Sequence, residues 1–166
     1  MRVSQRPANS VSVPSVCCIS LLVVVLVTAA KAQTPVVPAG AGTEVDPYQI
    51  SNVYNLAWMS SNVASSSGKY YSMQNDINAS ETTNWNGGAG FDSIGTNTIT
   101  PFNGFFSGNG YVISNLYFTH TNQECSGLFG CMGSSGTVMN TGLEGITVGG
   151  RRVGGLVGNN KGGTVM

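Results

Sequence analysis

A short glycine-punctuated phrase returns along the second half of this 166-residue chain, and that recurrence limits what the chain can fold into more than any other feature. It is spelled Gly104-Phe105-Phe106-Ser107-Gly108-Asn109-Gly110-Tyr111-Val112-Ile113, then Gly127-Leu128-Phe129-Gly130 followed by Gly136-Thr137-Val138-Met139. A third copy is Gly155-Leu156-Val157-Gly158 followed by Gly163-Thr164-Val165-Met166. The first two copies lie 23 residues apart and the second two 27 to 28, inside the window of roughly 20 to 50 residues that marks solenoids and arrays. The expected fold is all-β, a right-handed parallel β-helix, or β-solenoid. In such a fold each coil lays short strands on the coils above and below, and every strand of about three to five residues must end in a corner. Glycine is expected to supply the positive φ of those corners.

The same pattern names a core. Ile113, Leu116 and Phe118, then Leu143, Ile146 and Val148, are expected to point inward and stack one coil on the next, each worth roughly 1.5–3 kcal/mol when fully buried. Asn115 and Asn140 precede apolar strands, either as an asparagine ladder or as ordinary turn residues. Ahead of the repeats, Ser51 is expected to cap a short helix carrying Val53, Leu56 and Ala57 at helical spacing, with Tyr54 and Trp58 on a neighbouring face. That helix would close the first coil, whose strand edges and apolar cross-section would otherwise face water. Tyr70, Tyr71, Met73 and Ile77 read as the first strand region.

Composition removes several functions. Charged residues make up 8% of the chain and the formal net charge is zero, which leaves no electrostatic footprint for nucleic acid or anionic lipid. Apolar residues reach 41% and glycines number 23, so the low charge does not mean disorder.

Residues 1–32 read as a cleavable signal peptide. Arg2 and Arg6 precede the apolar run Val16 to Ala30, which ends in the small-x-small triplet Ala30-Lys31-Ala32. The run of about 15 residues falls short of the roughly 20 needed to span a bilayer as a helix, so no stable membrane span is expected after cleavage. Cys17 and Cys18 leave with it. Residues 33–42, with two prolines and two glycines, read as a linker. Residues 43–100 are assigned to the N-terminal cap and first coil, and 101–166 to the repeats, whose last copy stops one strand short of completion and so suggests a chain truncated at its C-terminal end.

Cys125 and Cys131 remain in the mature chain. If the residues between them are extended, six steps carry the Cα atoms to about 20 Å apart, against the roughly 4.4–6.8 Å a disulfide needs. Two small apolar residues in or beside a strand are therefore expected, and a bridge would require a sharp corner between them. A single histidine, His120, rules out a His-Glu-x-x-His zinc motif, and no zinc-type cluster or calcium-loop spacing is present, so neither a metal nor another cofactor is expected.

The order Gly42-Thr43-Glu44-Val45-Asp46-Pro47-Tyr48-Gln49-Ile50, Asn75-Asp76-Ile77, Ile94-Gly95, Pro101-Phe102, Gly108 to Leu116 and Gly127-Leu128-Phe129-Gly130 resembles bacterial GLUG-motif proteins. The resemblance runs from Gly42 to Met166. It implies a right-handed β-helix in large exported or surface-attached proteins, including adhesin-like proteins and regions of IgA-specific metallopeptidases outside their catalytic domains. It brings no catalytic residue; its signature falls on Gly127, Leu128, Phe129 and Gly130, repeated as Gly155, Leu156, Val157 and Gly158.

The expected function is a non-catalytic structural or adhesive module of an exported or cell-surface protein. Its partners would be a host surface or glycan and further repeats or domains beyond Met166. The alternative is a polysaccharide-active or carbohydrate-binding β-helix. For the enzymatic form, Asp76 and Asp92 are the acid and base to test, since sugar-cleaving sites pair carboxylates; a turn or strand-end role competes for Asp76. For the binding form, Trp58, Trp85 and Tyr111 would be stacking platforms, with core packing as the competing fate. His120, at the end of a strand, is expected to face solvent.

Overall fold

The computed structural model describes residues 31–166, so all but Lys31 and Ala32 of the expected signal peptide lies outside the described residues. The described chain is strand-rich with little helix. β1 (Tyr48–Ile50) leads into the helix α1 (Val53–Ser61), and β2 (Tyr70–Met73) and β3 (Ile77–Asn78) follow. After two 3₁₀ turns at Ser80–Asn84 and Asn86–Gly88 come β4 (Phe105–Ser107), β5 (Val112–Ser114), β6 (Tyr117–Phe118) and β7 (Phe129–Met132). β8 (Thr137–Met139), β9 (Gly142–Glu144), β10 (Thr147–Val148), β11 (Val157–Asn160) and β12 (Thr164–Val165) complete it.

The eight strand pairs among the described residues are all parallel. One sheet runs β1-β2-β4-β8-β12, a second β3-β5-β9, and two pairs join β6 to β10 and β7 to β11. From β4 onward the chain therefore visits the four sheets in fixed rotation and begins the rotation a third time at β12. A parallel partner cannot be reached by a hairpin and needs a crossover of a dozen residues or more; here the crossover is the visit to the other sheets.

Register follows the apolar residues. Tyr71, Phe106, Val138 and Val165 stand in line through successive pairings, as do Ile77, Ile113 and Leu143. Tyr71, Phe106, Val138, Ile77, Ile113, Phe118 and Phe129, drawn from all four sheets, belong to one buried cluster. The signature copies Gly127-Leu128-Phe129-Gly130 and Gly155-Leu156-Val157-Gly158 also meet as spelled, with Phe129 opposite Val157. The first copy does not. Phe105 and Phe106 pair with Thr137 and Val138, 32 positions on, and the residue that bridges Phe129 from the earlier pass is Ile94. Glycine followed by two apolar residues is spelled alike on two different faces, so similarity of letters mismatched them.

The corners also differ from expectation. Positive φ falls on Asn109 (53°), Asn115 (57°), Asn140 (50°) and nearby glycines such as Gly110 and Gly145, not on the signature glycines. Asparagine tolerates this conformation better than other side chains. What the signature glycines supply is room: a Cβ on Gly130 would stand 2.7 Å from the Cys125 carbonyl oxygen, and one on Gly127 2.7 Å from that of Gly154. Asn115 and Asn140 form no ladder with each other. Asn115 reaches Asn78 Oδ1 at 3.3 Å, while the Asn140 carbonyl accepts from Gly110 N–H at another corner.

α1 is capped by Asn52, not Ser51: Asn52 Oδ1 accepts from Asn55 N–H at 3.0 Å. Val53, Leu56, Ala57 and Met59 join the core cluster. The stretch read as a linker is tied down. Pro38 is buried, Ala39 bridges Gln49, Val36 N–H donates to the Tyr54 carbonyl, and Asn55 Nδ2 donates to the Val36 carbonyl at 3.0 Å.

Candidate functional site

Between the second 3₁₀ turn and β4 the chain carries Asp92, and just beyond β6 it carries His120. The stacking of passes sets these two stretches side by side, because Phe91 N–H donates to the Tyr117 carbonyl and Thr119 N–H to that of Ala89. Between them opens a polar cleft of about 1010 Å³. Its walls also include Gln33, Ser60, Asn86 and Glu124.

His120 is buried, 6% exposed, which corrects the expectation that it faces solvent. Its Nε2 lies 3.1 Å from the Phe91 carbonyl oxygen and 3.2 Å from Asp92 Oδ1. Two acceptors converging on one ring nitrogen require that nitrogen to carry hydrogen. Asp92 is held from several sides. Gln123 Nε2 donates to its Oδ1 at 3.0 Å, Asn86 Nδ2 to its Oδ2 at 3.1 Å, and its own N–H donates to Gln33 Oε1 at 2.7 Å. Its side chain is still 41% exposed, so a fixed carboxylate backed by a buried imidazole is presented to the cleft.

Glu124, on the same rim, is already engaged. It accepts from Thr98 N–H and Thr98 Oγ1, each at 3.2 Å, and pairs with Arg152 at 2.5 Å. The Thr98 N–H first, then Arg152 and the Thr98 hydroxyl, hold its carboxyl below the usual value for glutamate. Arg151 and Arg152 continue the groove into a neighbouring hollow of about 360 Å³.

The wall ahead of β7 is fastened by a disulfide. Cys125 and Cys131 are bonded, with Cα atoms 5.4 Å apart, so the expectation of two unpaired residues is corrected. The extended path assumed for Ser126 to Gly130 is taken up only from Phe129, where β7 begins, and the chain turns a corner before it that brings the two Cα atoms to 5.4 Å.

The other sequence candidates are not gathered here. Asp76 accepts from Val112 N–H at 2.8 Å, fixing β5, and does not line the cleft with Asp92. Trp85 is fully buried, its ring 5.8 Å from Tyr54 and 6.5 Å from Phe91, so it is core and not a stacking platform. Trp58 is half-buried and edge-on to Tyr48 at 4.9 Å. Tyr111 stands apart at 37% exposure. Gly127, Leu128, Phe129 and Gly130, with Gly155 to Gly158, form part of the strand stack behind the cleft. Among the described residues no group of three or more His, Cys, Asp or Glu side chains is gathered to hold a metal, and no helix is long and apolar enough to cross a membrane. Sequence reasoning named Asp92 and His120 separately and missed their meeting, which is made by backbone pairing between residues 26 or more positions apart.

Fold and site together define a strand-rich protein of parallel-paired passes with one wall opened into a polar cleft. No family model matches the chain, and no solved structure matches it. It is similar to Halomucin of Haloquadratum walsbyi, 34% identical over 125 residues that cover 74% of this chain and 1% of that protein. It is also similar to the "Putative Gly-rich membrane protein" of Evansella cellulosilytica, 35% identical over 153 residues, 89% of this chain and 17% of that one. The chain thus spans a small part of each of these relatives.

Proposed function

We propose that this chain is a non-catalytic structural or adhesive module of an exported or cell-surface protein, built as a right-handed parallel β-helix of the GLUG-motif kind. The observation that carries this reading is the fixed rotation through four sheets from β4 onward, in which Val138 lies on Phe106 and Leu143 on Ile113 one pass earlier. Stacking of this sort makes a rod whose length grows with the number of repeats and whose corners are free to vary. Three further features support export: the leader-like residues 1–32, the Cys125–Cys131 disulfide, which suits an oxidising compartment, and a relative whose printed name places it in a membrane. The test is fractionation of the native host with thiol labelling. Oxidised protein in the medium or at the cell surface is expected; reduced protein confined to the cytoplasm sinks the reading.

A second reading is favoured by Asp92 and His120: the cleft binds a neutral saccharide. Saccharide hydroxyls both donate and accept, and the cleft offers a fixed carboxylate amid side-chain amides and hydroxyls. Titration of neutral oligosaccharides is expected to show binding that Asp92→Asn weakens by about tenfold, equivalent to about 1.4 kcal/mol. Equal binding by wild type and variant removes the cleft from consideration.

A further inference from the structure

Gln33 meets the cleft with both its main chain and its side chain. Its N–H donates to Asn86 Oδ1 at 3.4 Å, and its Oε1 accepts from Asp92 N–H at 2.7 Å. Asn86 Nδ2 in turn donates to Asp92 Oδ2 at 3.1 Å, so the acceptor and the donor that Gln33 uses are held together as a pair. The residues just before it, Ala30-Lys31-Ala32, have the small-x-small form that follows an apolar leader segment and marks a cut.

We infer that maturation cuts the bond between Ala32 and Gln33, and that Gln33, now the amino terminus, closes to a pyroglutamyl ring seated on Asn86 and Asp92 at the rim of the cleft. The inference rests on the reading of the chain as exported. The chemistry needs no other reactant. The α-amino nitrogen attacks the side-chain Cδ, the N–Cδ bond forms as the Cδ–Nε2 bond breaks, and Nε2 leaves as ammonia with a proton from the α-amine. The resulting five-membered lactam is a cis amide, with its N–H and its carbonyl on the same side. Those are the two functions that Asn86 Oδ1 and the Asp92 N–H receive from Gln33 in the uncut chain, and the proposed seating retains them while the bond from Asn86 N–H to the Lys31 carbonyl is lost with the leader.

Cyclisation also settles the charge of the rim. An open terminus would bring a cationic amine beside Asn86, next to the carboxylate that His120 faces. The lactam is neutral and leaves Asp92 to His120 and the cleft. It also removes the amine that aminopeptidases need; the cut takes with it Lys31, whose Nζ pairs with Glu81 at 3.2 Å in the uncut chain.

The experiment is mass mapping of protein recovered from the medium or the cell surface, with pyroglutamyl aminopeptidase applied to the folded and the unfolded material. The expected N-terminal peptide begins at Gln33, is lighter than its open form by one ammonia, and is removed by the peptidase after unfolding but not before. In Asn86→Gly, which keeps the left-handed backbone of this position (φ 51° for Asn86), the ring is expected to form and to lose its protection in the folded protein. A free amine on Gln33 overturns the ring. A different first residue overturns the cut, and unchanged protection in Asn86→Gly overturns the seating. Full-length protein retained in the cytoplasm counts against export itself, an outcome separate from the other three.

Discussion

The middle and final passes of the chain are built from matching residues and differ in what covers them. Ile113, Phe118, Phe129 and Val138 each have a neighbour on both sides along the stack, and each is fully buried. Among the described residues their counterparts Leu143, Phe118's partner Val148, Val157 and Val165 have a strand neighbour on one side: Leu143 and Val157 are half-buried, Val148 is 41% exposed and Val165 47%. Val148, expected from the sequence to point inward to a core, is therefore corrected to an exposed position. Inward direction belongs to the strand, but burial is conferred by the next pass.

That contrast can be broken most directly at a matched pair. Phe118→Ala should cost about 3–5 kcal/mol, the range for truncating a buried aromatic, while Val148→Ala should stay within about 0.5 kcal/mol, as for an exposed site. Urea unfolding of both variants measures the difference, and similar losses would mean that the final pass is packed as tightly as the middle one.

The signature glycines give a second matched pair. A Cβ on Gly130 meets backbone carbonyl oxygens of Gly95 and Cys125 from two flanking segments, so Gly130→Ala should cost about 1–3 kcal/mol through overpacking. A Cβ on Gly158 meets carbonyl oxygens of Ser126, Arg152 and Gly130, in a strand that among the described residues pairs on one side. A smaller shift in thermal midpoint is expected for Gly158→Ala in the 166-residue chain, because among the described residues β11 pairs with β7 alone and can move away. Equal shifts would show that the open side gives no freedom.

Reduction tests the fastening that the middle pass has at β7. Closing a loop of about six residues removes little chain entropy, so loss of the Cys125–Cys131 bond should lower stability by about 2 kcal/mol. Cys125→Ser with Cys131→Ser, compared with wild type under oxidising and reducing conditions, measures it. An unchanged thermal midpoint on reduction would leave the cleft wall dependent on backbone pairing alone.

The smallest effect links the cleft rim to the final pass through Glu124 and Arg152. The carboxyl of Glu124 is held below its ordinary value by the Thr98 N–H, with Arg152 adding to it. A group whose value is depressed on folding stabilises the fold above its unfolded value, and that contribution is lost as the pH falls through the folded value. The difference in thermal midpoint between wild type and Glu124→Gln should therefore be present near neutral pH and shrink on acidification below the usual carboxylate range. Both groups are well exposed, so the difference should be small and further reduced by salt.

The sequence by itself determined the strand-rich character, the short strands, and the pairing of Gly127 to Gly130 with Gly155 to Gly158, because those depend on residue preference and on a period written twice in the same letters. It also marked Ile113, Leu116 and Phe118 as inward-facing, since alternation along a strand is a local property. Only the tertiary structure decided the partner of Phe106, the corner that joins Cys125 to Cys131, the burial of Trp85 and the meeting of Asp92 with His120. Each of these depends on which segment lies one pass away, and the distance along the chain to that segment varies with loop length, from 23 positions between Tyr48 and Tyr71 to 36 between Ile77 and Ile113. A one-dimensional pattern gives each strand its face; the neighbour on that face is chosen by three-dimensional stacking, where contacts between residues far apart in the chain outweigh local spelling.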